Sequence, residues 1–315
     1  MKKTVALLLL VLLVFVSGCQ SSSKRITRQS FVFDTLISIT AEDKYNKQID
    51  EAVRLCNEYD LVFSRTNPDS ELYKINNSKS ADLSPALREV LEFSVGFSKK
   101  SRGAFDITVE PLVSLWNINS RKKPPAEKEI YKAMENVGCE KISLSPFLLS
   151  GATLDLGGVA KGYVADKLSE YFKEANAQDI IIDLGGNVIL LGEFTVGIRN
   201  PFSPNDVFAT ITLKDKSAVT SGSYQRYFEY KGERYHHIID PRTGSPSDSN
   251  VASVTVISPS SMQADALSTA IFILGEDALS LCGEYPETDA MIITNDKKVV
   301  TTENFKEKYN LHIEK

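Results

Sequence analysis

Only three histidines, four cysteines and one tryptophan occur in 315 residues. Cysteine this sparse excludes a disulfide scaffold, which needs dense, paired positions. No C-x-x-C or Cys/His spacing occurs, so the usual structural zinc sites are excluded as well. Cys56, Cys139 and Cys282 are expected as buried small hydrophobes with at most one optional bridge. Basic residues are not in excess: 36 Lys and Arg face 41 Asp and Glu, a net charge of −5. With no positive surplus to neutralise phosphates, nucleic acid is excluded as the main partner. Neither G-x-G-x-x-G nor G-x-x-x-x-G-K-[ST] is present, which removes the dinucleotide fingerprint and the P-loop. No low-complexity block, solenoid repeat or long linker divides the chain.

Long hydrophobic runs are also missing, with one exception. Residues 5–16, "VALLLLVLLVFV", are unbroken apolar, follow Lys2 and Lys3, and fall short of the roughly 20 residues a spanning helix needs. The following "VSGCQSSSK" resembles a bacterial lipobox, the other reading being an ordinary secretory signal with an incidental cysteine. The expectation is a signal peptide over 1–18, a lipidated Cys19 (palmitate-bearing) with a polar tether over 19–30, and one domain over 31–315. The protein would then sit on the extracytoplasmic face of the cell membrane.

What is present is a succession of stretches with strand-like and helix-like periodicity. "SFVFDTLISIT" alternates as a strand, and "NKQIDEAVRLCNEYDLVFS" repeats apolar residues at helical spacing. "RTNPDSELYKINNSK" reads as a polar loop. "SPALREVLEFSVGFSKKS" reads as a helix with Ser84 as N-cap and Pro85 at N1. Gly103 marks a turn, and a helix is expected over 126–137. From 148 to 257 short strands dominate, interrupted by a helix near 159–175; a last long helix spans about 260–274. Helices and strands are segregated rather than strictly alternating, so the fold class is α+β, a single large domain with antiparallel strands.

Five stretches bear on the chemistry. Asp155-Leu156-Gly157-Gly158, between an apolar strand and a helix start, aims free backbone N–H groups at an anion, with Lys161 within the first helical turn; a tight strand-to-helix turn is the alternative. Asp183-Leu184-Gly185-Gly186 repeats the letters but leads into a strand, and reads mainly as a structural turn. "RYHHIIDPRTGSP" places His236 and His237 before a turn, where one could serve as acid/base or donor to phosphate, or be a structural histidine. "MQADALSTAIFILG" puts Asp265 and Thr269 four apart on one helix face, oxygen donors suited to Mg²⁺, although Thr269 bonding its own helix is the competing reading. Asp106 and Thr108 in "GAFDITVEPLVSLW" have the composition of a helix cap.

Taken in order from about Phe33 to Gly275, these stretches resemble the ApbE family of FAD:protein FMN transferases. The resemblance rests on Phe33-Asp34-Thr35, "SELYKIN", "GAFDITVEPLVSLW", "DLGGVAKGYVADKL", "IIDLGGNV", "VGIRNP", the long segment ending "HHIIDPRTGSP", and "ADALSTAIFILG". It implies a T-fold-like domain that cleaves FAD with Mg²⁺ and joins FMN to a Thr or Ser hydroxyl of a flavoprotein, releasing AMP. Magnesium would lie between Asp265, Thr269 and a backbone carbonyl placed on Gly158. Asp155 and Lys161 would contact FAD, and Phe33, Leu72, Tyr73, Ala104, Phe105 and Asp106 would line the flavin pocket. His237 and Asp265 would be catalytic. The implied partners are FAD and an acceptor in a membrane or extracytoplasmic redox system. An FAD pyrophosphatase and a non-catalytic flavin-binding lipoprotein are the alternatives.

Overall fold

A computed structural model describes residues 24–79 and 81–314. The expected signal peptide and Cys19 lie outside the described residues, and no described helix is long and apolar enough to cross a membrane.

Eight strands form one sheet whose spatial order is the chain order: Arg25–Val32 (β1), Thr35–Glu42 (β2), Ile180–Asp183 (β3), Asn187–Leu191 (β4), Ser217–Gly222 (β5), Val251–Ser258 (β6), Asp289–Thr294 (β7) and Val299–Thr301 (β8). Every neighbouring pair is antiparallel. Period-two alternation sends side chains to opposite faces. Ile180, Ile182, Ile189, Val219, Val254, Val256 and Ile292 join the helices in the main core. Ile181, Val188, Leu190, Ile257, Met291 and Ile293 pack instead against a second, three-stranded sheet built from Glu193–Arg199, Val207–Lys214 and His312–Ile313. All eight residues of β6 are therefore buried.

The helices are Asn46–Phe63 (α1), Glu71–Ser78 (α2), Pro85–Lys100 (α3), Glu110–Trp116 (α4), Glu127–Met134 (α5), Ala160–Glu174 (α6), Ser261–Leu274 (α7) and Phe305–Tyr309 (α8). Ser84 caps α3 by accepting from Leu87 N–H, with Pro85 in the first turn. The expected polar loop before it is corrected: α2 forms there, capped by Ser70, which accepts from Tyr73 N–H at 3.1 Å. Its buried anchors are Leu72 and Ile75, too few to show a helical period in the sequence; tertiary burial decides the conformation. α5 is shorter than expected and has no buried residue. All three described cysteines are buried and free.

Two helices hold the site. α7 is apolar nearly all round because it lies between the sheet and α6. Asp166 on α6 accepts from Ser261 N–H (2.6 Å), Met262 N–H (3.0 Å) and the Ser260 hydroxyl (2.8 Å), capping α7 from outside its own chain segment. That contact fixes the antiparallel crossing of α6 and α7.

Candidate functional site

The first Asp-Leu-Gly-Gly delivers the chain into α6. Asp155 Oδ1 accepts from Gly157 N–H at 2.7 Å, closing a local side-chain turn, while Asp155 Oδ2 pairs with Arg65 Nε at 2.8 Å. Gly158 follows without a side chain. A Cβ there would stand 3.3 Å from both Thr269 Oγ1 and the Phe105 ring, so the turn is cradled against α7. Lys161, in the first turn of α6, reaches back to the Gly157 carbonyl at 2.9 Å.

Across the crossing, Asp265 is 4% exposed. Its Oδ2 accepts from Gly162 N–H at 3.1 Å, with Lys161 Nζ at 3.9 Å. Thr269 does bond its own helix, donating to the Asp265 carbonyl at 3.3 Å, yet Asp265 is not solvated. One backbone donor and one distant ammonium compensate a buried carboxylate poorly, which leaves the position suited to a cation. Carboxylate, hydroxyl and backbone carbonyl form a hard oxygen donor set, the kind Mg²⁺ takes with substrate phosphate completing its shell. Among the described residues no group of three or more His, Cys, Asp or Glu side chains could hold a metal ion, so Asp265 is the one carboxylate of this donor set.

Arg65, paired with Asp155, also lines a cavity of about 240 Å³ together with Ser114, Trp116, Asn117, Arg226 and His237. His237 Nδ1 lies 3.3 Å from the Arg226 carbonyl. Desolvation, aided by the positive charge of Arg226 and Lys161, pushes the His237 ring well down, so it is neutral at neutral pH. His236 points the other way, into the core, edge-on to Phe272. The Asp240 to Gly244 turn forms as composition requires: Asp240 holds the Arg242 guanidinium at 2.7 and 2.9 Å, and Trp116 Nε1 donates to the Gly244 carbonyl at 2.7 Å.

The residues expected to line a flavin pocket divide into two groups. Phe33 and Asp34 form the tight turn joining β1 and β2, with φ of 57° and 54°, and Phe33 is half-buried against the core. Tyr73 is half-buried, whereas Leu72 and Ala104 are fully buried in the core. Phe105 meets the Gly158 turn directly. Asp106 does not head a helix: its Oδ1 accepts from Thr108 N–H (2.7 Å) and the Thr108 hydroxyl (2.6 Å), and its Oδ2 accepts from Cys139 N–H (2.9 Å). α4 starts later, at Glu110.

Arg65 and Arg226 escaped the sequence reading. Arg65 leaves a loop, pairs with Asp155 and reaches Glu110 at 3.7 Å, and no local pattern announces such a reach. The second Asp-Leu-Gly-Gly is the same side-chain turn as the first: Asp183 Oδ1 accepts from Gly185 and Gly186 N–H at 2.9 and 3.0 Å. Gly185 and Gly186 both have positive φ, and a Cβ at Gly185 would overlap Thr35. Burial pushes the Asp183 carboxyl up.

Residues 33–292 match the model of the ApbE family. A curated FAD:protein FMN transferase of Treponema pallidum is 33% identical over 318 residues, covering 90% of this chain and 88% of the relative. That of Haemophilus influenzae is 31% identical and covers 96% of both. Among solved structures, the ApbE protein of Thermotoga maritima superposes with a TM-score of 0.81 at 27% identity, over 90% of this chain and 99% of that one. The flavin transferase ApbE of Vibrio cholerae gives 0.81 at 25% identity with the same coverage. With the fold, the helix crossing and these likenesses in agreement, the chain belongs to the ApbE family.

Proposed function

We propose that the protein transfers the FMN half of FAD to a Thr or Ser hydroxyl of an acceptor protein, with Mg²⁺, and releases AMP. The carrying observation is the crossing itself: Asp265, Thr269, Lys161 and the Gly157-Gly158 turn come together at the start of α6. The relatives' name, FAD:protein FMN transferase, supplies the substrate and the type of acceptor.

In the reaction the acceptor oxygen forms a bond to the FMN phosphorus, and the P–O bond to the AMP phosphate breaks. The hydroxyl proton leaves to a base, and AMP departs carrying the bridging oxygen. Asp265, Thr269 and the Gly158 carbonyl would hold Mg²⁺, which supplies charge neutralisation on the phosphate oxygens. Lys161 adds a fixed positive charge beside them. His237, which lines the same cavity as Arg65 and Arg226, would accept a hydrogen bond from the acceptor hydroxyl through a neutral ring nitrogen and so orient it for attack.

The protein incubated with FAD, Mg²⁺ and a candidate acceptor subunit should give an acceptor band that fluoresces under ultraviolet light after denaturing electrophoresis, with stoichiometric AMP. AMP formed at the same rate without acceptor, and no fluorescent band, would show an FAD pyrophosphatase instead. The lipobox-like "VSGC" supports a lipid anchor at Cys19 on the outer face of the membrane, and hence an acceptor in an extracytoplasmic redox system. Incorporation of labelled palmitate, abolished by Cys19→Ala, tests the anchor.

A further inference from the structure

The second Asp-Leu-Gly-Gly is followed by a residue that the fold leaves unfinished. Asn187 is 2% exposed, and its Nδ2 finds no hydrogen-bond partner among the described residues. The other buried polar atoms in that condition are hydroxyls, of Ser94, Ser169 and Ser253. Ser94 and Ser169 sit on helices, where a hydroxyl can turn to a carbonyl one turn back. A buried primary amide on a strand has no such escape, and an orphaned donor destabilises the fold unless something else accepts from it.

Register locates the side chain. Val188 and Leu190 of β4 face the small sheet, and Ile189 and Leu191 face the helices, so alternation puts Asn187 on the helix side. Its cross-strand partner is Val219. On the same face of β5, Ser217 bonds Ser261 at 2.9 Å and Ser221 bonds Ser268 at 2.8 Å. Val219 therefore lies under the stretch of α7 that contains Asp265. Asn187 stands beside it, on the strand against which α6 packs. Just above, Gly162 N–H and Lys161 Nζ converge on Asp265.

We infer that Asn187 is a substrate-positioning donor: its Nδ2 gives a hydrogen bond to a phosphate oxygen of the dinucleotide held at the α6–α7 crossing. The inference rests on the proposed FAD chemistry. The two turns then serve one site from two sides, the first through Gly158 and Lys161, the second through Asn187, which the rigid Gly185-Gly186 turn holds at the end of β4.

The test uses Asn187→Leu, close in volume and without a donor, and Asn187→Ala as a second variant. Two quantities are read: thermal midpoint without ligand, and FAD affinity in the presence of Mg²⁺ by flavin fluorescence titration. The expected result is an unchanged or raised midpoint for Asn187→Leu, with FAD bound about ten- to hundredfold more weakly in both variants. A purely structural amide would lower the midpoint and leave the affinity of the folded fraction at the native value; that result overturns the inference. Native protein that fails to bind FAD at all would overturn the proposed function itself, which separates the two failures.

Discussion

Gly162 on α6 lies directly against the backbone of Ser261 and Met262 on α7: a Cβ at Gly162 would stand 2.7 Å from Met262 Cα and closer still to the Ser261 carbonyl oxygen. Backbone cannot step aside as a flexible side chain can. The glycine therefore sets the separation of the two helices, and with it the distance between Lys161 and Asp265. Gly162→Ala is expected to destabilise the protein by about 1–3 kcal/mol, as overpacking does. Because the helices must part, turnover should fall more than stability alone explains. Chemical denaturation and activity at a temperature well below the midpoint check the two effects separately.

Asp265→Asn separates charge from contact. The amide oxygen can still accept from Gly162 N–H, so the crossing should hold, and unfolding free energy should stay within about 1 kcal/mol of the native value. The negative charge that attracts a cation is gone. Turnover should fall by at least about a hundredfold, with FAD binding without metal largely kept. Calorimetric titration with Mn²⁺ reads the metal side directly; undiminished metal affinity and activity would show that Asp265 is no ligand.

Removing the cap on α7 tests how the site is framed. Asp166→Ala strips acceptors from two backbone N–H groups and one hydroxyl at the buried helix start. Loss of a helix cap costs about 0.5–2 kcal/mol, and burial places this one toward the upper end. Hydrogen exchange should show faster opening of the first turn of α7, while strands on the far side of the sheet keep their protection.

The legible part of this fold was the part written in local pattern. Ser84-Pro85 announced α3 and the Gly-Gly turn announced α6; the last long helix, expected over about 260–274, is α7, and four-residue spacing put Asp265 and Thr269 on one face. Composition of the Asp240 to Gly244 turn was sufficient as well. Less legible was whatever depends on the third dimension. α2 is held by two apolar side chains and a distant Ser84 N–H bonded to Glu71 at 2.7 Å. Asp106 looked like a helix cap, yet it staples its own loop to Cys139, 33 positions away. Arg65 reaches the site from a loop. The two Asp-Leu-Gly-Gly turns are alike in letters and in hydrogen bonding, and only sheet register shows that the second brings Asn187 under the crossing.

The histidine pair predicts a pH dependence of stability whose sign is fixed by geometry. Ile238 N–H donates to His236 Nδ1 at 3.3 Å, so that nitrogen is unprotonated, and Nε2 donates to the Ser247 carbonyl at 3.0 Å. Protonating Nδ1 would break the first bond inside the core. Desolvation accordingly pushes His236 down to about 4, and His237 is lowered in the same direction by desolvation and the cations near it. Above the unfolded value near 6.5 both states are neutral and nothing is lost. As pH falls below 6.5 the unfolded chain takes up the proton and the folded chain does not, so stability declines until about pH 4. From pH 7 to pH 5, His236 alone should account for a loss of about 2 kcal/mol. Asp166 and Asp183, whose carboxyls burial pushes up, act in the opposite sense and are common to native and variant protein. Urea unfolding at the two pH values, for native protein and His236→Gln, isolates the histidine: the pH-dependent difference should shrink by that amount in the variant, and equal slopes in the two proteins would remove His236 as its source.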